Sequence, residues 1–119
     1  MPEHRIGTKR AYEKAAARDG VRILVDRLWP RGVSKATAKI DFWAKETAPS
    51  NELRRWYAHD PKKWDEFRRR YFAELDANAE AVSELRARIG RGAVTFVFAS
   101  KEALLNDATA LREYLARPG

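Results

Sequence analysis

Two segments of this chain are apolar almost without interruption, and both are short. Residues 21–25 and 93–99 are rich in β-branched and aromatic side chains, which predicts two central strands buried on both faces. Residues 5–13 predict a further, edge-type strand. There Ile6, Thr8 and Tyr12 are evenly spaced while Lys9 and Arg10 interrupt. Asp19-Gly20 is a turn signal before the first central strand, and Pro30 and Gly32 close the segment that follows it.

The remaining apolar residues keep helical spacing. Ser34 is a candidate cap for a helix from Lys35 that carries Ile40, Trp43, Ala44 and Thr47 and stops at Pro49. Ser50 caps a short helix over residues 51–58 with Leu53, Trp56 and Tyr57 on its apolar side. Asp60-Pro61 pairs an N-cap aspartate with proline at the first helical position. Beyond it, Trp64, Phe67, Tyr71, Leu75, Asn78, Val82, Leu85 and Ile89 recur in steps of three and four. This long pattern has a candidate break at residues 76–78, and Gly90 and Gly92 end it. Residues 100–106 predict a loop or first turn. A last helix runs to about Ala116 with Leu105, Ala108, Leu111, Tyr114 and Leu115 apolar.

A long helical crossover between the two central strands makes them parallel neighbours with a right-handed connection. The expected fold is α/β: one domain over residues 1–119, a small sheet of about three strands with the two central ones parallel, and four to five helices packed over it. The chain has 119 residues, which suits one domain with a real core. It shows no repeat, linker, leader peptide or apolar run long enough for a membrane span.

Composition narrows the chemistry. The chain has no cysteine, which removes disulfides, thiolate metal sites and cysteine nucleophiles and fits a reducing, cytosolic setting. With two histidines only, one of them (His4) in a terminus expected to be mobile, no metal and no cofactor is expected. Lys and Arg number 24 against 17 Asp and Glu, a net charge of +7. That excess points to an anionic partner, either a small molecule or a nucleic acid.

In an α/β sheet, ligands bind just beyond the carboxyl ends of parallel strands. Two such ends can be named: Asp26-Arg27-Leu28-Trp29-Pro30-Arg31-Gly32, and Ser100-Lys101-Glu102 with Asn106 a helical turn further on. If the strands are neighbours, the two segments face one crevice. Arg27, Arg31 and Lys101 would hold a phosphate or carboxylate, Trp29 would stack on a ring, and Asn106 would orient the ligand. Asp26 or Glu102 would act as acid or base. The plain alternative is that Asp26 and Arg27 cap loops and Trp29 lids the core. His59 beside Asp60 is a second candidate general base, against a purely structural role at a helix end. Arg54, Arg55, Arg68, Arg69 and Arg70 form a basic stretch interleaved with aromatics, a compositional nucleic-acid surface. Helical spacing assigns most of those aromatics to the core and leaves the arginines solvated or paired with acids.

These motifs together resemble the domain-of-unknown-function 488 family, in its YeaO-like branch. The resemblance rests on residues 22–35, Asp41-Phe42-Trp43, residues 48–56, His59-Asp60-Pro61, residues 64–75 and residues 94–101. It implies a compact cytosolic α/β domain and brings no assigned activity. It also implies a strand-end motif Lys-Asp-x-x-His-Asn. Here that motif reads Lys101-Glu102-Ala103-Leu104-Leu105-Asn106, with Glu102 for the usual Asp and Leu105 for the usual His. A catalytic role for that histidine would be lost in this chain. The favoured expectation is a domain that binds, or binds and acts on, a phosphate-bearing or nucleotide-like ligand at the strand ends. The alternatives are a non-enzymatic nucleic-acid module and a protein-interaction or dimerisation module built on exposed aromatics. Nothing in the sequence sets the oligomeric state.

Overall fold

A computed structural model describes residues 6–102 and 104–117. His4, and Arg5 as the first residue of the expected edge strand, lie outside them. In chain order the elements are β1 (Ile6–Arg10), β2 (Val21–Leu24), α1 (Lys35–Ala38), β3 (Phe42–Trp43), α2 (Asn51–Tyr57), α3 (Trp64–Asp76), α4 (Ala79–Ile89), β4 (Val94–Phe98) and α5 (Asp107–Ala116). The sheet order is β1-β4-β2-β3 and every pair is parallel. The two central strands are therefore neighbours joined by the long helical crossover, as their apolar runs require. All five residues of β4 are buried.

Alternation along the strands splits the core in two. Ile23, Val25, Val94, Phe96 and Phe98 face α2 to α5 and build the main core with Phe67, Tyr71, Leu75, Leu85 and Leu111. Leu24 and Val97 point to the other face, where Trp29, Val33, Ile40 and Trp43 cover them. Among the described residues, its cover comes from loops and from β3. Trp29 and Trp43 seal it with an edge-to-face contact at 5.6 Å, a geometry that aromatic quadrupoles favour. Trp29, Trp43, Trp56 and Trp64 are each at least half-buried.

One expectation is corrected. The segment from Lys35 to Thr47 is not one helix. The helix stops at Ala38 with Lys39 in the left-handed conformation, φ 50°, and the chain then runs along β2 as the fourth strand, β3. The cause is tertiary. Arg22 draws the Ala38 carbonyl to its Nε at 2.9 Å, and Asp41 accepts from the Arg22 backbone N–H at 2.8 Å. The Ala44 N–H then satisfies the Leu24 carbonyl at 2.8 Å. The open edge of β2 recruits this stretch, and the spacing of Ile40, Trp43, Ala44 and Thr47 fits either geometry.

Three caps are those the sequence names. Ser34, Ser50 and Asp60 accept from the backbone N–H groups of Thr37, Leu53 and Lys62. The long helical pattern does break, with α3 ending at Asp76 and α4 starting at Ala79. Gly20 has φ +67°, and a Cβ there would lie 2.1 Å from the Ala93 carbonyl oxygen. Only glycine permits that approach between the turn and the start of β4. No described helix is long and apolar enough to cross a membrane.

Candidate ligand-binding cavity

A cavity of about 330 Å³ opens at the carboxyl ends of the strands. The loop after β2 forms one wall through Asp26, Arg27, Leu28, Trp29, Pro30 and Arg31. Ala99 and Ser100 after β4, Tyr12 after β1, and Asn106 and Asp107 at the start of α5 form another. Pro49, Arg54, Tyr57, His59 and Phe67 close the helical side. The two strand ends therefore meet because β2 and β4 are hydrogen-bonded neighbours.

Asp26 sits between the two strand ends. Its Oδ2 accepts the Ala99 N–H at 2.8 Å, and its backbone carbonyl accepts the Trp43 indole N–H at 2.7 Å. A second carboxyl, Asp107, faces it. Burial pushes the Asp107 carboxyl well above the ordinary carboxylate range, and the adjacent Asp26 charge and hydrogen bond push it further. Both carboxyl groups line the cavity. Asp107 also accepts the Ala108 N–H at 3.0 Å. Its side chain was invisible to sequence reasoning, because an aspartate in the first turn of a helix looks like an ordinary dipole complement.

Arg27 lines the cavity while holding the turn before α2. Its Nε and Nη2 donate to the Pro49 and Ala48 carbonyls at 3.2 and 3.1 Å. Two of its five N–H donors are thus engaged, which leaves three. Arg31 is exposed at the rim, where its backbone carbonyl accepts the Tyr12 hydroxyl at 3.1 Å. Trp29 has its indole N–H tied to the Val33 carbonyl at 2.6 Å. It is part core lid and part cavity wall.

Asn106 reaches the cavity but is committed as the cap of α5. Its Oδ1 accepts from Thr109 N–H at 3.0 Å and its Nδ2 donates to the Glu102 carbonyl at 2.7 Å. Lys101 is exposed, and neither it nor Glu102 lines the cavity. Glu102 instead accepts the Leu104 and Leu105 N–H groups at 3.0 and 3.3 Å. Those bonds, with His59 nearby, hold its carboxyl below the usual glutamate value. Its carboxylate is a loop staple.

His59 stands at the rim on strained backbone. Ala58 and His59 are both left-handed, at φ 46° and 59°, a conformation that costs a residue with a Cβ about 1–2 kcal/mol. The excursion brings Nδ1 of His59 to 3.5 Å from the Ser100 hydroxyl. Asp60, expected as its carboxylate partner, turns instead to the Lys62 N–H. Beneath His59, Tyr57 stacks on Phe67 at 4.4 Å and donates to the Leu105 carbonyl at 2.9 Å. Burial raises its phenol pKa, and the charges of Glu102 and Asp60 add to that.

The basic stretch is divided. Arg54 belongs to the cavity, and its Nη2 also donates to Asn51 at 3.1 Å. Arg55 is exposed on α2. Arg68 pairs with Glu113 and Asp65, and Arg69 and Arg70 both pair with Glu66. Arg70 also covers the Trp56 ring at 4.2 Å. Tyr57, Phe67 and Tyr71 lie in the core, as helical spacing predicts.

Comparison with known proteins gives a family. A family model described as the inactive DUF488-N3 subclade matches residues 5–118. An uncharacterized protein of Mycobacterium tuberculosis is 43% identical over 113 residues, which cover 95% of each chain. The uncharacterized protein YeaO of Escherichia coli is 37% identical over 110 residues, 92% of this chain and 96% of that one. No solved structure matches.

Proposed function

Since the chain belongs to the DUF488 family, within a subclade described as inactive, we propose that it binds a phosphate-bearing or nucleotide-like ligand at the carboxyl ends of β2 and β4 and does not turn it over. The observation that carries this reading is the cavity of about 330 Å³ with Arg27, Arg31 and Arg54 on its wall. Its volume falls at the lower end of the about 300–1,000 Å³ typical of small-molecule sites. Guanidinium groups bind phosphate oxygens in pairs.

Three features support binding over catalysis. Leu105 stands where the family motif usually has a histidine. Glu102 is occupied by backbone N–H groups. His59 makes no hydrogen bond to a carboxylate among the described residues, and its Nδ1 lies 3.5 Å from the Ser100 hydroxyl. The nucleic-acid reading is weaker, because Arg68, Arg69 and Arg70 are already paired with carboxylates.

The test is calorimetric titration with inorganic phosphate and mononucleotides, alongside anisotropy with labelled RNA and DNA at low and physiological salt. Arg31→Ala/Arg54→Ala removes exposed cavity arginines without touching core contacts. Arg27→Ala is a poorer probe, since it also frees the Ala48 and Pro49 carbonyls. The expected result is small-ligand binding in wild type, weakened at least about tenfold in the double variant, a loss of about 1.4 kcal/mol, and kept when Arg68, Arg69 and Arg70 become Glu. Binding that fails only in the Glu variant and falls steeply with salt would replace this reading with an electrostatic nucleic-acid surface.

A further inference from the structure

The cavity has two chemically opposed sides. Arg27, Arg31 and Arg54 lie on its wall, and the Asp26–Asp107 pair lies where β2, β4 and α5 converge. A ligand anionic throughout would meet the carboxyl pair, and a neutral one would leave the arginines unused. We infer that the site takes a sugar phosphate, alone or as part of a mononucleotide, with its phosphate on the arginines and adjacent sugar hydroxyls on Asp26 and Asp107. This deepens the proposed function and rests on it.

The hydrogen-bonding capacity fits. Each carboxyl group has about four lone-pair positions. One on Asp26 is used by the Ala99 N–H at 2.8 Å and one on Asp107 by the Ala108 N–H at 3.0 Å. The remaining lone pairs not engaged between the two carboxyls accept from the O–H groups of vicinal hydroxyls. Trp29, Pro30, Pro49 and Phe67 supply apolar wall for the carbon faces of a ring.

The pair also makes the interaction pH-dependent. Besides Asp26, the buried Tyr71 of α3 interacts with the Asp107 charge, and Tyr12, Arg27, Arg31, Arg54, Tyr57 and His59 share the cavity with it. Burial and the neighbouring Asp26 charge raise the Asp107 pKa. Its ionisation at higher pH adds a second negative charge beside the hydroxyl subsite, so affinity falls as pH rises.

Calorimetry with inorganic phosphate, ribose 5-phosphate and O-phosphoethanolamine tests this on the full chain. Ribose 5-phosphate should bind about tenfold or more tighter than phosphate, the sum of two net hydroxyl hydrogen bonds. Asp107→Asn keeps an acceptor oxygen and cannot ionise, so it should keep that advantage and flatten the pH profile. Asp107→Ala should lose the advantage while still binding phosphate. If Asp107→Ala fails to fold, by near-ultraviolet circular dichroism, the wild-type pH profile and Asp107→Asn decide. Equal affinity for phosphate and ribose 5-phosphate overturns this inference and leaves the anion site standing. Preference for O-phosphoethanolamine overturns it in favour of an amine subsite. Absence of binding to all three overturns it together with the proposed function.

Discussion

Replacing Asp19 by alanine should destabilise this protein more than almost any other polar substitution. Asp19 and Arg22 are buried, at 6% and 4% exposure, and meet at 2.7 Å. Asp19 also accepts from Lys9 Nζ at 2.9 Å and from the Ala16 N–H at 3.0 Å. Lys9 can swing to water, but Arg22 cannot, since its Nε is anchored on the Ala38 carbonyl. Removing one partner of a buried pair typically costs about 3–5 kcal/mol. Because Lys9 can recover its solvation, we expect the lower end, about 3 kcal/mol. At roughly 4 °C per kcal/mol for a chain of this size, Tm should fall by about 12 °C. Acid sensitivity should change with it. Burial alone would raise the Asp19 carboxyl, but the Ala16 N–H, Lys9 and Arg22 overcome it and hold it at about 2, below its ordinary 3.8. The stability it contributes is therefore present above pH 4 and is lost as pH falls toward 2. Urea unfolding at pH 7 and across the acid range measures both effects. The Asp19→Ala variant should show a shallower acid limb, and adding Arg22→Met should restore much of the lost stability, because it removes the stranded charge. A single-variant loss under about 1 kcal/mol, or no recovery in the double variant, would refute the argument.

Two further outcomes are expected. Tyr71→Phe should cost about 1–2 kcal/mol in urea unfolding, since the buried Tyr71 hydroxyl donates to the Thr47 carbonyl at 2.5 Å and that oxygen would be left without it; a neutral result would mean the carbonyl finds another donor. Ala58→Gly should raise stability by about 0.5–1 kcal/mol by relieving its left-handed backbone at φ 46°, read as a higher Tm, and a lower Tm would show that ordering the glycine costs more than the strain.

Much of the fold is legible in local pattern because the strongest signals are also the most buried. β2 and β4 announce themselves by continuous β-branched runs, and the α3–α4 break by Asp76 to Asn78. β3 is hidden because its two residues are held by contacts with Arg22 and Leu24 that no local pattern encodes. The site divides in the same way. Asp26, Arg27, Trp29 and Arg31 are found together because they are contiguous at a strand end. Asp107 acquires its role only through proximity to Asp26, and Glu102 loses its expected one to backbone N–H groups two and three residues away. Arg54 shows the limit of composition: it belongs by charge with Arg68 to Arg70, yet its place on α2 puts it on the cavity wall.

The strand order β1-β4-β2-β3 also dictates when this sheet can exist. β1 and β2 leave the ribosome early, yet neither pairs with the other. Both wait for β4, whose residues 94–98 come after most of the chain. Only β2 and β3 can pair beforehand, and through just two register partners. Contacts between sequence-distant strands slow folding, and unpaired apolar strand edges invite aggregation in the interval. Shortening the chain before β4 should therefore leave an unfolded polypeptide and no partial sheet. The central strand serves as the keystone set last.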